Sequence, residues 1–238
     1  MWTKSVAESA REANEMQATS QPASPEMSPA AGQLIRTVGH DLKNKLGVMT
    51  NSIYYLNMKL GHGDAKVQKH LRIMGREVAN ANRMVVDLMD FALSKKPALR
   101  QGNIETIVAE AVSLASLPDG WETAVSLEDG LPPLMADAFQ LQRALTNIIL
   151  RIVEGTPAGG KLQISARVQD GFVELGFGAA GLIIPDENLS GAAAPLASAG
   201  GTSLGMAVSK MLVEGHGGAI EAKRFARVGT VFVVKLPL

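Results

Sequence analysis

His40 and Asn44 stand one helical turn apart in the run VGHDLKNKLGVMTNSIYYL, among the polar and charged residues Arg36, Thr37, Asp41, Lys43 and Lys45. A solvated imidazole keeps one ring nitrogen unprotonated near neutral pH and can act as a nucleophile. Positions i and i+4 share a helix face, so the Asn44 amide can hydrogen-bond a group attached to that ring. Asp41 follows directly, and adjacent positions diverge on a helix, so spacing alone does not make it the ring's partner. Arg36, Lys43 and Lys45 either steer an acidic surface or form an ordinary solvated basic face. The other histidines, His62, His70 and His216, have neither metal-site nor triad spacing and read as solvent or turn residues, so no metal site is expected. The absence of cysteine removes thiolate nucleophiles, disulfides and Cys-based zinc or iron–sulfur sites.

A long helix must carry these residues. Leu42, Leu46, Met49, Ile53, Leu56 and Leu60 alternate steps of four and three, the seam of a packed amphipathic helix. His40 lies two positions before that seam, which turns it roughly 200° from the core at about 100° per residue and predicts an exposed ring. Gly61, Gly63 and Asp64 interrupt the pattern, and a second seam runs through Leu71, Met74, Val78, Ala81, Val85, Leu88 and Phe91 or Ala92 to an end at Lys95, Lys96 and Pro97. The two form an antiparallel hairpin over 31–97. One hairpin cannot cover both stripes, so pairing of two hairpins into a four-helix bundle, a homodimer, is expected.

On either side the texture changes. Residues 1–30, rich in Ala, Ser, Glu, Pro and Gln, bury too little apolar surface to offset ordering entropy and read as a disordered tail. In 98–238, β-type runs LQISARV, FVELGF and TVFVVKLPL are interleaved with helical patterns near 104–116, 137–154 and 204–215, an α+β arrangement with helices on a mixed sheet. SGAAAPLASAGG is too rich in small residues for a core and reads as a mobile loop. Lys plus Arg equals Asp plus Glu at 23 each, so no net field favours nucleic acid or an anionic membrane. The opening segment lacks an apolar core of signal-peptide length, no stretch approaches the ~20 apolar residues that span a bilayer, and a cytoplasmic, membrane-free protein is expected.

The segment from His40 resembles the H-box of histidine kinases: a histidine, an acidic residue, two variable positions, then Asn or Thr followed by Pro-Leu. Here it reads His40, Asp41, Leu42, Lys43, Asn44, Lys45, Leu46, with Lys45 in place of the proline. A second likeness, over about 130–238, is to the ATP-binding domain of the same family. ADAFQLQRALTNIIL resembles its N-box helix, TPAGGKLQISARV the hairpin after it, and SLGMAVSKMLVEGHGGAIEAKRFARVGTVFVVKLPL its closing helix and strands. The resemblance implies a helical hairpin dimerising into a four-helix bundle, followed by an α/β sandwich of histidine-kinase ATPase type.

Departures fall where the family handles nucleotide. Its two N-box asparagines, four apart, correspond to Asn147 and Arg151, and a guanidinium cannot ligate the family's Mg²⁺. Its Asp-x-Gly-x-Gly box reads Ala179, Ala180, Gly181, Leu182, Ile183, which removes the carboxylate that accepts from adenine. Its glycine loop reads Gly201, Thr202, Ser203, Leu204, Gly205, Met206, one glycine short. Together these losses predict a degenerate nucleotide site and a phosphotransferase that lacks ATP binding and autokinase activity. In that expectation His40 carries a phosphoryl group to and from receiver-domain aspartates of response regulators. Asp41 orients or deprotonates the ring, Asn44 positions the phosphoryl group or an attacking water, no cofactor is bound by this chain, and the receiver supplies Mg²⁺. The alternatives are an ATP-dependent histidine kinase with an atypical nucleotide site, or a non-catalytic scaffold.

Overall fold

Two helices open the structure, a computed structural model that describes residues 29–60, 63–93, 96–156, 159–180, 182, 202–225 and 229–238. Helix α1 is Pro29–Leu60 and α2 is Ala65–Ala92. The turn between them is closed by capping: Gly63 N donates to Leu60 O at 2.9 Å, and the Asp64 carboxylate accepts from Lys66 N at 2.7 Å. Helix α1 begins well before the first seam residue, so His40 lies inside it. Helix α2 ends at Ala92, with Leu93 N donating to Met89 O at 2.8 Å, ahead of the expected stop at Lys95 to Pro97. Of the expected tail, residues 1–28 lie outside the described residues, and helix already covers Pro29 and Ala30.

The two helices meet beside His40. A Cβ added to Gly39 would lie 2.5 Å from Met89 Cγ and Sδ, so the Met89 side chain packs directly against the glycine. Elsewhere the seams are open. Leu71 is buried and Ile53, Val78, Ala81 and Val85 are half-buried, whereas Leu42, Met49, Leu56, Leu60, Met74, Leu88 and Phe91 are exposed in the single chain.

Ten further elements follow: β1 (Arg100–Gly102), α3 (Ile104–Ala115), β2 (Glu122–Leu127), β3 (Leu134–Ala136), α4 (Ala138–Gly155), β4 (Lys161–Gln169), β5 (Phe172–Ala179), α5 (Thr202–Gly215), β6 (Ala219–Phe225) and β7 (Gly229–Pro237). Five strands form a sheet in the order β2-β4-β5-β7-β6, with β2 parallel to β4 and the other pairs antiparallel, while β1 and β3 pair separately. Strict alternation sends Leu162, Ile164 and Ala166 of β4, Val173, Leu175 and Phe177 of β5, and Phe232, Val234 and Leu236 of β7 into the core. Leu141, Leu145, Ile148 and Ile152 of α4 meet them from above. The α+β class stands as expected. Strand β2 escaped periodicity because it is an edge strand with only intermediate burial, and β6 because Glu221 and Lys223 break its apolar run. Residues 35–238 form one unit, and no helix among the described residues is long and apolar enough to cross a membrane.

The other sheet face carries a ladder of charge. Glu174 accepts from Arg167 Nη2 at 2.8 Å and faces Lys235 Nζ at 3.7 Å, which in turn faces Glu221 at 3.5 Å. The Arg167 hydrogen bond, foremost, holds the Glu174 carboxyl below the usual glutamate range. Because the unfolded chain binds this proton first as pH falls, the stabilisation is full above the ordinary glutamate value and is lost as pH drops through the depressed one. Thermal melts of Glu174→Gln should therefore fall below wild type at neutral pH, with the gap closing under acid; a gap that persisted or widened would contradict this.

Candidate active site

His40 is exposed on α1, and its Nδ1 lies 3.2 Å from Asn44 Nδ2, the i+4 contact that helical spacing called for. The ring's tautomer follows from this contact. An amide nitrogen facing Nδ1 donates to its lone pair and leaves the proton on Nε2; an amide oxygen facing it accepts from Nδ1–H and leaves the lone pair on Nε2. In either orientation Asn44 selects one tautomer. Asp41 is exposed and has no hydrogen bond or ion pair among the described residues, so the carboxylate assigned by resemblance is not in contact with the ring. Arg36, Lys43 and Lys45 are exposed and likewise without ion pairs among the described residues, as a basic face around the histidine requires.

Asn44→Ala should convert the ¹⁵N spectrum of the neutral His40 ring from that of one tautomer to the averaged pattern of two. An unchanged spectrum would show that the contact sets nothing.

A second polar cluster forms where α2 crosses α4 and α5. Asp87, only 5% exposed, accepts from Arg143 Nη2 at 2.8 Å and from Asn147 Nδ2 at 3.4 Å. Arg143 also pairs with Asp90, and Asn147 Nδ2 donates to Gly205 O at 3.2 Å. A Cβ on Gly205 would lie 3.3 Å from both Asp87 Oδ2 and Asn147 Cγ, so this glycine admits the hairpin's carboxylate to the N-terminal part of α5. Ser209 Oγ bridges Gly205 O at 2.8 Å and Ala144 O at 3.0 Å, fixing α4 against α5.

Helix α4 is anchored at its start by a residue that sequence patterning misjudged. His216 is buried: its Nδ1–H donates to Leu212 O at 2.7 Å and its Nε2 accepts from Asp137 N at 3.0 Å. The Asp137 carboxylate caps α4 through Gln140 N at 3.2 Å and accepts from Ala98 N at 3.1 Å. His216 does lie in the turn that follows α5, as expected, but β7 and α4 cover that turn, so the ring is buried rather than solvated. Asp87, Arg143 and Asp137 were likewise not foreseen, and in sequence they are indistinguishable from solvated residues on helix faces.

Of the expected nucleotide-site residues, Asn147 and Gly205 come together, and Arg151 follows one turn along α4. Ala179 is fully buried at the end of β5, paired with Leu162, so no side-chain acceptor projects from that position. Gly181, Gly201 and the SGAAAPLASAGG segment lie outside the described residues; Ser203 falls in the first turn of α5. Among the described residues no group of three or more His, Asp or Glu could hold a metal ion. The Asn147 amide nitrogen is engaged by Asp87 and Gly205, and position 151 carries a guanidinium, which cannot ligate the Mg²⁺ that the family resemblance implies.

An exposed histidine on a long helical hairpin, followed by a five-stranded α/β sandwich, is the layout of a histidine-kinase catalytic portion. Residues 136–238 match the family described as histidine kinase-, DNA gyrase B- and HSP90-like ATPase, and the chain is similar to histidine kinases over most of its length. It is 27% identical over 216 residues to the sensor histidine kinase ZraS of Klebsiella oxytoca, covering 88% of this chain and 46% of that protein. The chain thus spans about half the length of the curated relative. Full-length ShkA in complex with AMPPNP superposes with a TM-score of 0.67 at 20% identity, over 86% of this chain and 45% of that one. Histidine kinase ThkA in complex with the response regulator TrrA gives 0.61 at 18%, over 87% and 61%.

These matches overturn the expectation of a phosphotransferase that lacks ATP binding and autokinase activity. The physical reason is that substituted side chains need not remove a site built largely from backbone. Phosphate at a helix N-terminus is held largely by backbone N–H groups, which a substitution leaves in place. The change at 151 also adds a cation where it removes a ligand.

Proposed function

We propose that this chain is the catalytic portion of an ATP-dependent histidine kinase that phosphorylates its own His40. The supporting observation is the exposed His40–Asn44 pair on α1, carried in one chain with a domain that matches the histidine-kinase ATPase family. In the reaction a ring nitrogen of His40 attacks the γ-phosphorus of ATP, an N–P bond forms, the O–P bond to the departing ADP breaks, and the imidazole gives up its proton to water or to Asp41. Asn44 contributes by fixing the tautomer before attack, which removes one unproductive ground state. The glycine-rich run ahead of α5 leads into a helix N-terminus, whose backbone N–H groups favour phosphate.

The partner of the phosphorylated form is the receiver domain of a response regulator, a reading supported by the ThkA–TrrA complex. The exposed basic residues Arg36, Lys43 and Lys45 would steer an acidic receiver surface toward the histidine. Pairing of two hairpins is supported by the apolar side chains that α1 and α2 leave open, Leu42, Met49, Met74 and Leu88 among them.

Incubation with ATP labelled at the γ-phosphate tests the activity. The chain alone should acquire an acid-labile, alkali-stable label. A chain that remains unlabelled at saturating ATP, yet binds a receiver, would overturn autokinase activity.

A further inference from the structure

We propose that Arg143 and Asn147 form an anion pocket for the phosphate tail of ATP, and that the hairpin's own Asp87 occupies it in this structure, so that nucleotide binding competes with the seating of α2 on α4. The inference rests on the ATP-dependent reading above and adds to it a binding site and a means of control.

Two donors already converge on an anion. Arg143 and Asn147 stand one turn apart on α4 and share a face, and both donate to a single oxygen, Asp87 Oδ1, at 2.8 Å from Arg143 Nη2 and 3.4 Å from Asn147 Nδ2. Arg143 Nη1 pairs with Asp90 as well, and Asn147 Nδ2 also donates to Gly205 O at 3.2 Å. The Arg143 side chain is only 16% exposed, so its charge is largely withdrawn from water and requires an anion beside it.

The surroundings suit phosphate and allow exchange. Charge-assisted hydrogen bonds from a guanidinium form to phosphate as they do to carboxylate. Asp87 Oδ2 lies against Gly205, where a Cβ would be 3.3 Å away, in the first turn of α5, the helix whose N-terminus the kinase reading assigns to phosphate. A cleft of about 1000 Å³ between α2 and α4, with Asp87, Arg143 and Asn147 in its lining beside Arg83 and Leu150, opens onto the pair. A ligand therefore reaches these donors without crossing the core. Asp87 belongs to a different element from its donors, so a shift of α2 frees the pocket while α4 stays folded. The tethered carboxylate lowers the apparent affinity for ATP by the fraction of molecules in which the pocket is free.

Calorimetric titration of the whole chain with Mg²⁺ and ATP tests this. Asp87→Asn, which keeps the side chain's shape and removes the competing charge, should bind ATP at least about fivefold more tightly than wild type. Arg143→Ala should bind it at least about fivefold more weakly, through loss of charge-assisted hydrogen bonds. Adenosine, which has no phosphate tail, should bind all three chains alike. Both substitutions break the same ion pair, so a contact that only seats the hairpin would move ATP affinity in one direction. Circular dichroism checks folding, and Asp87→Ser and Arg143→Gln give the same comparison if either first variant fails to fold. Asp87→Asn that binds no tighter than wild type, Arg143→Ala that binds no more weakly, or an equal change with adenosine overturns the inference and leaves the kinase reading intact. Absence of ATP binding in every chain overturns both.

Discussion

His40→Gln is expected to abolish the proposed labelling from ATP, with a loss of at least about a hundredfold, because the amide that replaces the ring is not a nucleophile. Glutamine keeps a polar, helix-compatible side chain on an exposed face, and its cost to stability should be within about 0.5 kcal/mol. Unchanged melting together with complete loss of label isolates chemistry from folding. Of the three other histidines, His70 is exposed on the other helix of the hairpin, both ring nitrogens of His216 are occupied by backbone partners, and His62 lies outside the described residues. Label that persisted on His40→Gln would place the phosphoryl group elsewhere and refute the assignment.

The next largest effect is on stability. Asp87→Ala leaves the Arg143 guanidinium with Asp90 alone and strips Asn147 of one acceptor; breaking a buried pair by removing one partner costs about 3–5 kcal/mol. The survival of the partly exposed Asp90 contact puts the expected loss near the lower end, about 3 kcal/mol. Chemical denaturation gives the measurement, and a double-mutant cycle gives its meaning. Arg143→Met combined with Asp87→Ala should recover much of the loss, since no charge is then left buried and unpaired. If each single variant melts like wild type, the cluster is a bystander to the seating of α2 on α4 and α5.

The legible part of the protein was the part governed by local period. Steps of three and four from Leu42 to Leu60 placed His40 on an exposed face and Asn44 beside it, and both positions follow from helix geometry alone. Strands β4, β5 and β7 were visible because alternating Leu, Ile, Val and Phe have one buried face. The edge strand β2 was not, since its pattern is set by a partner that begins 34 residues after it ends. The nucleotide region misled for a different reason. Arg151 and Ala179 read as losses when each position is taken separately, whereas the ATPase likeness belongs to the fold over 136–238 as a whole.

The chain's own order of residues determined the hairpin, the presentation of its histidine and the α+β class, because these depend on contacts within a few turns or on simple alternation. Tertiary structure alone decided that Asp87 meets Arg143 and Asn147, 56 and 60 residues further on. It also decided that His216 is a buried hydrogen-bonding hub and that Gly205 is small so that a carboxylate can enter. A helix-face aspartate looks the same in sequence whether water or a guanidinium awaits it, and only packing between distant elements distinguishes the two.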